Sequence, residues 1–161
     1  MPADVPTTGP NVTGPTERPP VEPILATQHT AAGAEAFAEF FVRTIDWGEA
    51  TISGAYMRHY SDPACTSCFG IAHDLDADRR AGHSYIGGRS TILSARPGDG
   101  GPLRSQVVSV RSTAFEEVDR TGQPISSNPA YSRLSYAVVL RWSSGKWLVQ
   151  KVAVTDMVDA Q

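Results

Sequence analysis

The chain's 161 residues carry a net charge of −3, and its longest basic run is the pair Arg79-Arg80. That excludes the electrostatic footprint of a nucleic-acid binder. No stretch reaches the ~18–20 apolar residues of a membrane span, the N-terminus lacks the apolar core of an export signal, and the length suffices for one domain with a proper core.

Most of the chain's 12 prolines fall between Pro2 and Pro23, interleaved with Thr and Gly. Such a tract has too little apolar surface to fold by itself, so residues 1–26 are expected to form a disordered Pro/Thr-rich tether ahead of an ordered domain over 27–161. Order is predicted to begin at Thr30, a good N-cap. Ala34, Phe37, Ala38, Phe41 and Ile45 then recur at three- and four-residue intervals and draw an apolar stripe down a helix running to about Ser53. Glu35, Glu39 and Arg43 keep its other face wet, and Gly54 is the expected stop.

A short helix from Ala55 to Tyr60 leads into Ser61-Asp62-Pro63-Ala64-Cys65-Thr66-Ser67-Cys68, which holds the only two cysteines. Asp62 as N-cap and Pro63 as first helical residue predict a third helix from Pro63 to about Ala81, with both sulfurs in its first two turns and Gly82 as its stop. Three chemistries compete for the sulfurs: a structural disulfide, a redox dithiol at a helix N-terminus, and half of a zinc site completed by His59 and His73. The segment before them lacks the apolar strand that a redox motif usually follows, and the histidine spacing matches no common zinc module, so a Cys65–Cys68 disulfide is the expectation. No metal and no cofactor is expected. Asp74, Asp76 and Asp78 alternate as in a calcium loop but lack its Gly and closing Glu, and they read as a solvated face.

From Ser84 onward the period changes to two. Tyr85 to Ser94 reads as a strand broken at Gly87-Gly88, and Ser105 to Val118 as a longer strand with Val108 and Val110 on one face and Val107 and Phe115 on the other. After an irregular stretch from Gln123 to Pro129, Tyr131–Trp142 and Trp147–Thr155 form a hairpin across Ser143-Ser144-Gly145-Lys146. Leu134, Tyr136, Val138, Leu140 and Trp142 share one face of the first strand, and Leu148, Val152 and Val154 one face of the second. Helices first and an antiparallel meander afterwards predict an α+β domain whose curved sheet wraps the long helix, with a funnel at its open end where a small ligand could lodge.

This order of elements, ending in Trp142-Ser-Ser-Gly-Lys-Trp147, resembles the cone-shaped nuclear-transport-factor-2-like (NTF2-like) superfamily. The proline-rich stalk, Gly33-Ala34-Glu35-Ala36-Phe37, the Cys65/Cys68 pair and Gly87-Gly88 also resemble an uncharacterised family of actinobacterial lipoproteins. The resemblance implies export, lipid anchoring at an N-terminal cysteine that this chain lacks, and no established activity.

The expected function is a non-catalytic, extracytoplasmic envelope domain that binds a small ligand or an envelope partner, with a homodimer through the sheet's outer face as a further option. No catalytic residue is assigned; Tyr56, His59, His73 and Tyr136 are the candidate cavity-lining groups. The alternatives are a SnoaL-like isomerase or hydrolase using the funnel, and a thiol oxidoreductase using the Cys pair. Asp46 and Asp62, placed near predicted helix ends, read as caps.

Overall fold

The computed structural model describes every residue from Met1 to Gln161. After a single 3-10 turn at Ile24–Thr27 come helices α1 (Ala31–Thr51), α2 (Ala55–Tyr60) and α3 (Thr66–Ala81). Seven strands follow: β1 (Ser84–Gly87), β2 (Ser90–Pro97), β3 (Ser105–Ser112), β4 (Phe115–Val118), β5 (Pro124–Asn128), β6 (Tyr131–Ser143) and β7 (Lys146–Asp159). The strands form a four-stranded sheet in the order β2-β3-β6-β7 and a three-stranded sheet in the order β1-β4-β5, with every named pair antiparallel. Helices held against curved antiparallel sheets are the α+β architecture that the sequence implied.

α1 begins where the sequence predicts, because the Thr30 side chain accepts a hydrogen bond from the Gly33 N–H, and it ends at Ile52, which adopts left-handed backbone at φ 50°. Its Phe37 and Phe41 are fully buried, as are Val108 and Val110 of β3 and Val138 of β6, all in one apolar core. Each such side chain contributes roughly 1.5–3 kcal/mol by leaving water, which is why the helix lies where the sheet can cover it. The C-terminal hairpin closes one end. The Trp147 ring N–H donates to the Gln28 carbonyl at 3.0 Å, and Trp142 stacks on His29 with ring centres 4.8 Å apart, so neither tryptophan is free on the outer face.

Both long strands predicted around Gly87-Gly88 and Ser105–Val118 break and change sheets. Gly87 and Gly88 take positive φ angles of 68° and 69°, and opposite them the break falls at Thr113-Ala114, where the Gly88 N–H donates to the Ala114 carbonyl at 2.8 Å. Phe115 therefore does not share a strand face with Val107: the kink at Thr113-Ala114 separates them. The stretch expected to be irregular contains β5, an exposed edge strand held by its pairing with β4.

Bulges alter the reading of β7. Its register against β6 slips between Val139 and Leu140 and again between Ser135 and Tyr136. An extra residue reverses the alternation. Trp147 and Val149 are consequently buried before the slip and Val152 after it, while Leu148 pairs with Arg141 and belongs to the other face.

The third helix starts later than the caps predicted. Asp62 and Pro63 lie in a turn, where the Asp62 carboxylate accepts from the Ala64 N–H at 2.9 Å, and Cys65 is the residue that caps α3.

The proline-rich segment differs most from expectation. Residues 1–26 are laid along the helices rather than left as a disordered tether. Val5 and Ala26 join the core, the Trp47 ring N–H donates to the Pro6 carbonyl at 2.9 Å, and the Asn11 N–H donates to the Ala50 carbonyl at 3.0 Å. Composition reports only that this segment cannot fold alone. Proline carbonyls remain good acceptors, and a surface that offers ring and hydroxyl donors can hold an extended chain without a ladder of its own.

Candidate functional site

Turn by turn, Val42, Ile45, Asp46 and Glu49 place one face of α1 toward the corner where the two sheets part, and there they wall a cavity of about 380 Å³. Gly88, Ser90, Ser112, Thr113 and Phe115 come from the corner itself, Tyr131, Leu134 and Tyr136 from β6, and Val154 and Met157 from β7. Val154 and Met157 are also solvent-exposed, which marks the mouth.

The two acids of α1 have opposite circumstances. Asp46 is fully engaged: one oxygen accepts from the Ser90 N–H at 2.7 Å and the Ser90 hydroxyl at 3.1 Å, the other from Arg89 Nε at 3.2 Å and Nη2 at 3.0 Å. It is a mid-helix anchor and not the cap expected from the sequence. Glu49, one turn on, has no hydrogen-bond or ion-pair partner for its carboxyl. Burial pushes its pKa up to about 8, the neighbouring Asp46 charge adds to the rise, and Arg89 opposes it. Tyr136 lines the same cavity, and burial raises its phenol well above the usual range, with Glu49 and Asp46 adding to the effect.

Arg89 reaches the other way as well. Its Nη1 donates to Glu17 Oε2 at 2.7 Å and to the Asn11 carbonyl at 3.0 Å, so the N-terminal segment, the sheet corner and α1 meet on one guanidinium. The Glu17 carboxyl is held below its ordinary range by that hydrogen bond.

Of the four cavity residues expected from the sequence, only Tyr136 lines the cavity. Tyr56 is buried under the N-terminal segment, its hydroxyl donating to the Pro20 carbonyl at 2.5 Å, and burial pushes its phenol up to about 12. His59 is exposed and lies 2.6 Å from Asp4, and His73 is exposed beside Asp74 at 3.4 Å. The reason is rotational: α2 and α3 turn Tyr56, Cys68, Ala72 and Leu75 inward, and His59 and His73 fall off those faces. Asp62, besides its turn, pairs with Arg141 at 2.5 Å.

Cys65 and Cys68 are joined in a disulfide, fully buried at the start of α3. The Cys68 N–H donates to Cys65 Sγ at 3.2 Å, and the Ser67 hydroxyl accepts from the Val152 N–H at 3.1 Å, which ties this turn to β7. With His59 paired to Asp4 and His73 turned to solvent, neither supplies the sulfurs with a zinc ligand.

Metal-ligating side chains converge elsewhere, at Asp78, His83 and Glu117, whose donor atoms all lie within 4.8 Å of one another. Here they satisfy each other: His83 Nδ1 is 2.7 Å from Glu117 and 3.4 Å from Asp78, the Tyr85 hydroxyl donates to Asp78, and the Ser126 hydroxyl donates to Glu117 at 2.8 Å. The cluster clamps the end of α3 to the small sheet.

Glu49 could have been found from the sequence. The stripe that runs through Ala38, Phe41 and Ile45 continues to position 49, and an acid on an apolar, half-buried stripe asks for a reason.

A family model described as a family of unknown function, DUF6318, matches residues 11–153. The chain belongs to DUF6318. The match begins inside the proline-rich segment, in keeping with that segment's place on the helices. No curated protein matches the DUF6318 chain. Among solved structures it is similar to the intermembrane space region of the chloroplast protein ARC6, at 11% identity over 81% of this chain and 98% of that one, with a TM-score of 0.50. It is also similar to Aln2 from a Streptomyces species, at 13% identity over 73% of this chain and 85% of that one with a TM-score of 0.42, and to a chain titled Rd1NTF2, at 16% identity over 74% and 96% with a TM-score of 0.37. The ARC6 likeness bears on the fold alone. No helix is long and apolar enough to cross a membrane.

Proposed function

We propose that this DUF6318 chain is a non-catalytic binding domain of the cell envelope, working outside the cytosol as part of a lipid-anchored protein, and that its cavity holds a small, largely apolar ligand. The observation that carries this reading is the cavity of about 380 Å³ between α1 and the sheet corner, with a wall that mixes apolar and polar side chains in near-equal measure and carries one unpaired carboxyl, Glu49. A concave site of that volume, offering both apolar surface and groups that can orient a ligand, is of the size small molecules occupy. The buried Cys65–Cys68 disulfide supports the compartment, since such bonds persist where the surroundings are oxidising.

The test is binding of the neutral apolar fluorophore N-phenyl-1-naphthylamine to the full chain, read as enhanced emission. Leu134→Trp, which fills the cavity, is expected to abolish the enhancement while the far-ultraviolet circular dichroism stays native. Unchanged emission in a folded Leu134→Trp variant places the probe elsewhere and overturns the reading.

One observation favours a catalytic alternative: a carboxyl that titrates near neutral pH suits proton transfer. Exchange of α-deuterium from small ketones, followed by proton NMR and lost in Glu49→Gln, is the result that would support it.

A further inference from the structure

We propose that the cavity selects a ligand with a basic nitrogen on an apolar body, the ammonium group seating against Glu49; this rests on the ligand-binding reading above and names its ligand class. The first observation is the sign of the wall. Among the side chains that line the cavity there are two acids, Asp46 and Glu49, and no Lys, Arg or His.

The second is that the acids divide the work. Asp46 has its oxygens filled by Ser90 and Arg89, whereas the Glu49 carboxyl is left with capacity to accept and nothing in the chain to accept from. An unpaired carboxyl in a poorly solvated wall is a standing penalty, and a ligand ammonium removes it by ion pairing with charge-assisted hydrogen bonds. The third is aromatic. Phe115, Tyr131 and Tyr136 line the cavity from β4 and β6, and aromatic rings are the apolar groups that attract a cation.

Competing headgroups fit worse. A carboxylate would bring its charge beside the Asp46 carboxylate, in a wall whose lining side chains include no cation. An alcohol or amide would meet Glu49 as one neutral group meets another, gaining a single ordinary hydrogen bond.

The groups that face Glu49 set the proton balance. Asp46 approaches from its own helix, Arg89 from the link between β1 and β2, Tyr136 from β6 and Tyr85 from β1. At pH 7 the free chain holds Glu49 mostly protonated. Seating an ammonium ionises it, so one proton leaves the carboxyl for the buffer and the ligand keeps its own.

The experiment uses three molecules with one apolar body: 1-naphthylmethylamine, 1-naphthylmethanol and 1-naphthoate, titrated calorimetrically into the full chain at pH 7 in phosphate and in Tris. The amine is expected to bind at least tenfold tighter than the alcohol, with the carboxylate weakest. The difference between buffers is expected to report close to one proton released per amine. In Glu49→Gln the preference for the amine and the proton release should vanish. Equal affinity for amine and alcohol, a tighter carboxylate, or a preference that survives Glu49→Gln overturns the amine assignment and leaves the cavity standing. Failure of all three molecules to bind overturns the cavity reading together with it.

Discussion

Arg89 grips Asp46 through two nitrogens of its guanidinium, at 3.2 Å and 3.0 Å, and this joins the sheet corner to the middle of α1. The same side chain holds Glu17 and the Asn11 carbonyl, so the pair also fastens the N-terminal segment.

Arg89→Ala should therefore do two separable things. It leaves Asp46 with Ser90 as its only partner in a half-buried setting, a loss of about 1–3 kcal/mol in chemical denaturation. It also frees residues 11–17, and limited proteolysis should cut between Asn11 and Arg18 in the variant at protease levels that leave the parent chain whole. Protection of that stretch in a folded variant would show that the other contacts suffice.

Glu49 makes stability depend on pH with a definite sign. Its pKa is about 8 in the folded chain against 4.5 as the ordinary value, so between those limits the folded state holds a proton that the unfolded state has lost. Stability from this group is fully present below about pH 4.5 and drains away as pH rises through about 8. Glu49→Gln carries no such proton and is expected to gain about 1–3 kcal/mol relative to the parent at pH 8.5, with the gain shrinking toward zero at pH 4.5. Urea titrations at the two pH values check this.

Reduction or removal of the disulfide should be modest. The closed loop spans three residues of sequence separation, and the chain-entropy estimate for so small a ring is about 2 kcal/mol or less. The double variant Cys65→Ala with Cys68→Ala should melt lower yet keep a cooperative transition. Because both sulfurs are buried, the parent chain should resist alkylation after mild reductant until it unfolds.

Gly87 is required by backbone and by space. Its φ is 68°, and a β-carbon there would run into the Ala114 carbonyl of the facing kink. Gly87→Ala should lower stability by about 1–3 kcal/mol and loosen the corner that walls the cavity, which amide exchange at Gly88 and Thr113 would register.

Much of the fold was legible because its signals are local. The three- and four-residue spacing from Ala34 to Ile45 located α1, Thr30 its cap, Gly82 the end of α3, and Ser144-Gly145 the hairpin, whose two residues take positive φ angles of 50° and 78°. What was not legible depends on partners distant in sequence. The slips of β7 against β6 have no mark in either strand alone, so Leu148 took the wrong face. Tyr56, His59 and His73 are polar aromatics near the cysteines, but which way α2 and α3 rotate is fixed by packing against β7 and the N-terminal segment. The place of residues 1–26 is a docking event, for which composition carries no signal. Glu49 stood in plain view on an apolar stripe and needed only the question of what an acid was doing there.

The route of the N-terminal segment bears on mechanics. Roughly twenty residues of extended proline-rich chain could stand a domain off a surface by about 60 Å. Pinned along α1 by Trp47, Tyr56 and Arg89, they give almost none of that reach. A pull on the N-terminus enters the domain near Val5, is taken up first where Trp47 and Ala50 hold Pro6 and Asn11, and only then reaches the Arg89–Asp46 link beside the cavity.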